Sequence, residues 1–258
     1  MLAMELMSFR PTIEFIPFPI GVASDVFEAS LYDELTSNFP PINMFEVVNR
    51  NKDTQYKLNH KNMPEEFADY IRRTPIWREF DETMRSQEFG KLILDVLEGE
   101  GISFEKNFEV PPLRKALRSA AADILKRRRF PRYPEQLRTR FSFAVYPGHG
   151  GYIRPHTDAT NTLTTLVVSM NRINDPWNPE WGGELELCRP INPRHKFNWK
   201  NSIVDFSDME PVKKIPYLPN QATFFVKTHD SWHCVRPMTA PPEVEAWRKI
   251  ILLVIETD

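Results

Sequence analysis

The stretch Thr139-Arg140-Phe141-Ser142-Phe143-Ala144-Val145-Tyr146 marks the point where the chain changes character. Before it, apolar residues recur at helical spacing. From about residue 138 onward, short β-like runs are separated by Pro, Gly and Asn: 139–146, 151–154, 163–169, 183–188, 222–226, 231–236 and 249–256. Fourteen of the 23 prolines follow residue 130, and no long helical pattern does. This half therefore reads as a β-sandwich or jelly roll.

Working back from that stretch, the first half carries the helices. Residues 24–38 place Phe27, Leu31 and Leu35 on one face, with Ser24 as N-cap and Pro40-Pro41 as the stop. Residues 63–73 open on Pro64 and two glutamates, a good first turn. Residues 75–97 repeat apolar side chains three or four apart, with Gly90 as the candidate break. Residues 113–129 have the best helix propensity and end on basic residues, while 44–58 look extended. The expectation is an α+β chain. Residues 1–137 would form a mainly helical N-terminal region, and residues 138–258 a jelly-roll core.

Composition narrows the class. In 258 residues, 33 basic side chains against 35 acidic ones give a net charge of −2, which argues against a general nucleic-acid or membrane-surface binder. Two cysteines, Cys188 and Cys234, are too few for a disulfide scaffold or a multi-cysteine zinc module. The mean hydropathy is −0.45, and the longest aliphatic run, residues 250–255, is far short of a membrane span. Arg10 follows rather than precedes the first apolar stretch, the wrong order for a signal peptide. A soluble cytoplasmic protein is expected, with no nucleic-acid or membrane partner.

Five of the six histidines lie after residue 148, so the chemistry is sought there. In Gly151-Tyr152-Ile153-Arg154-Pro155-His156-Thr157-Asp158, an extended backbone points His156 and Asp158 to the same face. An imidazole and a carboxylate side by side hold two adjacent sites on one metal ion. Two histidines and one carboxylate leave three positions of an octahedron open. His233, amid the apolar run Ser231-Trp232-His233-Cys234-Val235, is the candidate third ligand. Arg248 begins the strongly apolar terminal run; if buried, it needs an anionic partner, and its planar fork suits a carboxylate.

His156-x-Asp158, His233 and Arg248, in that order, resemble the Fe(II)/2-oxoglutarate-dependent oxygenases, and within them the prolyl-hydroxylase-like branch. Tyr146-Pro147-Gly148, Trp181-Gly182-Gly183-Glu184-Leu185 and His233-x-Val235-x-Pro237 are similar to flanking motifs of that branch. The resemblance covers about residues 138–258. It implies a double-stranded β-helix with helices beside it, Fe(II) held by His156, Asp158 and His233, and 2-oxoglutarate and dioxygen as co-substrates. The far carboxylate of 2-oxoglutarate would pair with Arg248 or, since the gap after His233 is longer than usual, Lys249. Tyr146 and a hydroxyl of Thr165 or Ser169 would assist. A carboxylate at Asp158 favours hydroxylation of a C–H bond over halogenation. The substrate class stays open among small molecules, sugars and peptides.

Two other functions compete. His229 and His233 stand four apart, as in zinc hydrolases, but that motif needs a helix and a glutamate beside the first histidine. A jelly-roll domain can also bind without turnover. Trp177 and Trp199 are the candidate substrate contacts, on connections expected to close over the open side of the site. The connection 189–217 is expected to act as that cover.

Overall fold

The structure, a computed structural model, describes residues 11–50, 53–102, 137–198 and 201–257. The expected helix 113–129 lies outside them. The chain opens with strands β1 (Thr12–Glu14) and β2 (Ile20–Ala23), helix α1 (Ala29–Ser37), and strands β3 (Glu46–Arg50) and β4 (Asp53–Leu58). Helices α2 (Pro64–Arg73), α3 (Pro75–Met84) and α4 (Gln87–Gly99) follow. The second half supplies β5 (Leu137–Pro147), β6 (Ile153–His156), β7 (Thr162–Ser169), β8 (Leu185–Pro190), β9 (Met209–Ile215), β10 (Ala222–Val226), β11 (His233–Val235) and β12 (Trp247–Thr257).

The strands form two antiparallel sheets. The larger runs β1-β2-β10-β7-β12-β5-β4-β3 and the smaller β6-β11-β8-β9. Alternation along the large-sheet strands sorts two faces. Phe141, Phe143, Leu166, Val168, Phe224, Ile251 and Leu253 face the helices, where the Trp77 ring packs 4.6 Å from that of Phe143. Ala144, Tyr146 and Ile250, and separately Ile20 and Phe225, face the small sheet and meet Met238, Leu185, Leu187 and Val235. The space between the sheets is where the candidate ligands converge. No described helix is long and apolar enough to cross a membrane.

Three local expectations are corrected. Helix α1 starts five residues after Ser24, capped by the Glu28 carboxylate, which accepts from the Ser30 and Leu31 amides. Asn220 causes the delay. It accepts from Val26 N (3.2 Å) and, through Oδ1, from Phe27 N (3.0 Å), and its amide donates to Phe27 O (2.8 Å). The 75–97 pattern breaks at Ser86, which caps α4 by accepting from Phe89 N (3.1 Å), and not at Gly90. Gly90 lies inside α4, where an added Cβ would come within 3.2 Å of Leu137, so it lets the helix approach β5 closely.

The third correction concerns the connection 189–217. Residues Met209–Ile215 are strand β9, at the edge of the small sheet. Val204 and Phe206 pack with Cys188, Trp232 and Cys234 on that sheet's outer face, and Trp232 Nε1 donates to His195 O (2.9 Å). Val204, Phe206 and strand β9 thus back or extend the small sheet, while Tyr217 at the end of the connection turns inward to the Arg248 cleft.

Candidate metal centre

Strand β6 pairs with β11, with His156 directly opposite His233. Between that pair and Ile153–Val235 the register shifts: three steps along β6 match two along β11. This bulge turns His156 to the same inner face as Ile153, against strict alternation. Asp158 follows two residues beyond the end of β6. The ligand-type atoms of His156, Asp158 and His233 lie within 4.8 Å of one another, and the two imidazole centroids are 4.4 Å apart.

The backbone fixes the tautomers. His156 Nδ1 is 2.9 Å from Arg154 O, and His233 Nδ1 is 2.9 Å from Ser231 O. A carbonyl only accepts, so each Nδ1 carries the proton and each Nε2 is the lone-pair nitrogen. Burial, with His156 alongside, pushes the His233 pKa down to about 4, so it is neutral near pH 7. Burial alone would push the Asp158 carboxyl up. The facing His233 and His156, the Thr165 hydroxyl donating at 2.5 Å, and Lys227 outweigh it and hold the carboxyl below its usual range. The donor set is two imidazoles and one carboxylate, which suits Fe(II) with open positions.

Arg248, on β12 of the large sheet, shares the parity of Ile250, which faces the small sheet, and is 3% exposed. Its Nε donates to Gly183 O (2.8 Å), its guanidinium sits 4.7 Å from the Tyr217 ring centroid and 5.7 Å from that of Tyr146, and its Nη1 is buried with no hydrogen-bond partner among the described residues. Ser169, Val167, Thr223 and Tyr217 line the narrow cleft it faces. A buried guanidinium with an orphaned N–H fits an anion. Lys249 points the other way and pairs with Asp175 at 2.9 Å. Gly182 and Gly183 take φ of +91° and +90°, which brings the Gly183 carbonyl to Arg248; a Cβ on Gly183 would strike Trp177 at 2.7 Å.

The other expected residues separate. Thr165 serves Asp158, Ser169 lines the Arg248 cleft, and Tyr146 lies beneath the guanidinium. Trp177 packs 5.3 Å from the Tyr217 ring, at the Arg248 end. Trp199 lies outside the described residues. His229 sits in a turn, so the helix that a His-x3-His zinc site needs does not form. Tyr217 had no sequence signal. Its hydroxyl is tied to Asn171 and the Lys249 backbone. A second ligand-type cluster, Glu186, Cys188 and Cys234, lies on the outer face of the small sheet, but Arg236 (2.6 Å) and Lys214 (3.1 Å) already engage its carboxylate.

The ordered ligands and the arginine all fall within residues 141–253, the segment that matches the family model described as the 2OG-Fe(II) oxygenase superfamily. This segment belongs to that superfamily. Its members use Fe(II), 2-oxoglutarate and O2, and His156, Asp158 and His233 form a possible iron site in this oxygenase segment. No curated protein matches the chain. Among solved structures, the chain is similar to a prolyl-4-hydroxylase from Pseudomonas putida, at 13% identity and a TM-score of 0.46, over 93% of this chain and 92% of that one. It is also similar to a Trichoplax adhaerens prolyl hydroxylase in complex with a hypoxia-inducible-factor peptide fragment, at 13% identity and a TM-score of 0.45, over 92% and 83%. A third likeness is to a Shewanella oneidensis putative oxygenase, at 13% identity and a TM-score of 0.43, over 92% and 81%.

Proposed function

We propose that the chain is a 2-oxoglutarate-dependent hydroxylase of an unactivated C–H bond. The observation that carries this reading is the buried Arg248 with its orphaned Nη1, on the large-sheet face turned toward the small sheet, which carries a His–Asp–His cluster whose tautomers are preset. His156, Asp158 and His233 would hold Fe(II), and Arg248 the far carboxylate of 2-oxoglutarate, with Ser169 and Tyr146 beside it. Bound iron with 2-oxoglutarate and O2 supplies oxidative decarboxylation to succinate and carbon dioxide, coupled to oxygen transfer into the substrate. The protein's part is to orient these groups. The Arg154 and Ser231 carbonyls aim the imidazoles, and the Thr165 hydroxyl fixes the Asp158 carboxylate.

The core would be a double-stranded β-helix, with β5, β7, β10 and β12 alternating with β6, β8, β9 and β11 between the two sheets, which supports the jelly-roll reading. Residues 1–137 would be the N-terminal region packed beside it and 138–258 the oxygenase core. The substrate would be a small molecule, sugar or peptide; the prolyl hydroxylases named above make a peptide worth testing first. Anaerobic titration with Fe(II) and 2-oxoglutarate should produce a metal-to-ligand charge-transfer band. Succinate should then form when O2 is admitted with a substrate panel. Absence of the band with all ligands intact would end this reading.

A further inference from the structure

Lys227 follows β10 directly, is 1% exposed, and has entered so far only through its charge near Asp158. A lysine is almost never fully buried without a partner, and an apolar side chain would fill the same space with no ammonium to desolvate. What the ammonium touches gives the reason for its place. Its Nζ donates to Thr157 Oγ1 (2.7 Å) and to Thr228 O (2.9 Å). Thr157 is fully buried and stands between His156 and Asp158.

Thr228 leads to the other ligand. Its carbonyl also accepts from Ser231 Oγ (2.9 Å), and its amide donates back to the same hydroxyl (3.1 Å). The Ser231 carbonyl in turn receives the His233 Nδ1 proton (2.9 Å). Lys227 is itself anchored, its amide donating to Leu163 O (2.9 Å) at the start of β7. One ammonium therefore stands where the two ligand-bearing segments meet, 156–158 and 231–233. These segments lie on different strands, paired through the short β6–β11 ladder.

We infer that Lys227 is a positioning residue of the metal centre, fixing the spacing of the 156–158 segment against the 231–233 segment through Thr157 and Thr228. The inference rests on the reading of His156, Asp158 and His233 as the iron site. Burial pushes the Lys227 pKa down to about 8, which marks a group kept at some cost to the fold. Groups behind a metal's direct ligands change its affinity by about 10–100-fold when removed.

The test is an anaerobic Co(II) titration of the full chain, followed by calorimetry and by the visible d–d absorption, which reports ligand geometry without turnover. Lys227→Met alone mixes two effects of opposite sign, because it loses the tether but also loses a cation that repels the metal. Thr157→Val leaves the ammonium and removes only its acceptor, and Thr157→Ser restores it. Thr157→Val should bind Co(II) at least about tenfold more weakly, with an altered d–d band, while Thr157→Ser stays within about threefold of wild type. Lys227→Met should keep or raise the thermal midpoint while its d–d band changes. If Thr157→Val does not fold, Thr157→Ala, which only removes atoms, takes its place. Wild-type affinity and spectrum in the folded Thr157 variant overturn the inference. A wild-type chain that binds no Co(II), or a His156→Ala variant that binds it equally well, overturns the iron-site reading and the inference with it.

Discussion

Replacing Arg248 with methionine keeps a long side chain in the cleft and removes the charge, so it isolates the proposed contact with the co-substrate. If the pair is buried, a 2-oxoglutarate carboxylate left without its guanidinium loses about 3–5 kcal/mol, or a factor of about one hundred to a few thousand in Kd. The protein without ligand responds differently. Methionine forfeits the charge-assisted bond to Gly183 O, worth about 1.5–3 kcal/mol, and the contacts over Tyr217 and Tyr146 at about 0.5–2 kcal/mol each. It also ends the burial of a cation whose Nη1 has no partner, a penalty of several kcal/mol. These opposing effects are of similar size, so the unfolding midpoint should move little while co-substrate binding collapses. Lys249→Met is the matched control. Its side chain is 24% exposed and pairs with Asp175 outside the cleft, so its loss should cost about 1 kcal/mol of stability or less and no affinity. Calorimetric titration of 2-oxoglutarate into the Mn(II)-loaded protein reads both variants. An Arg248→Met Kd within about threefold of wild type, or an equal loss in Lys249→Met, refutes the reasoning.

His156→Ala, Asp158→Ala and His233→Ala should each abolish tight Fe(II) or Mn(II) binding with the circular dichroism spectrum unchanged; a variant that still binds one ion per chain removes that residue from the set. The His233 pKa falls from 6.5 to about 4 on folding, so between these values the unfolded state binds more protons and stability must rise with pH. The metal-free protein should therefore lose up to about 3 kcal/mol as pH drops through that window, at about 1.4 kcal/mol per unit. Urea midpoints measure this, and His233→Gln should flatten the slope. Gly183→Ala combines a clash with Trp177 and a left-handed φ, so it should lower the thermal midpoint and, by displacing the carbonyl that holds Arg248, weaken 2-oxoglutarate binding. Trp177→Ala opens space over Tyr217 and should raise the 2-oxoglutarate requirement, not the ratio of succinate to hydroxylated product; a changed ratio with normal affinity would place it at the substrate instead.

The strands of the second half were legible where side chains declare themselves. Ala222–Val226 is an unbroken buried run bounded by Asn220-Gln221 and Lys227, and both ends agree with the sequence reading. Strand β9 escaped because an edge strand tolerates Pro211 and has one face in solvent, so it reads as a connection. Strands β1 and β2 are three and four residues long and flank Pro17 and Pro19, too short for alternation to register. Helix α1 was misplaced because Asn220, 193 positions from Phe27, sets its start. The candidate ligands His156, Asp158 and His233 could be singled out because residue type and order carry coordination chemistry, and the structure brings them together. Lys227 and Tyr217 could not, since their roles come from what tertiary packing sets beside them. Strand parity turns Arg248 inward and Lys249 toward Asp175, which supports Arg248 as the proposed carboxylate partner; the apolar run on both sides of them concealed this.

The bulge in β6 sets an odd count beside the metal centre. From Ile153 to His156 is three residues, while the facing step from Val235 to His233 is two. Deleting either Arg154 or Pro155 would make the two counts equal, and because residues two apart on a regular strand share a face, Ile153 and the histidine could still both turn inward. The loss would fall on the other attachments of the extra residue: Pro155 O accepts from Val204 N (3.1 Å), and Arg154 pairs with Asp205 (3.7 Å). The irregularity lets one short strand carry the candidate ligand and anchor the 204–205 segment at once.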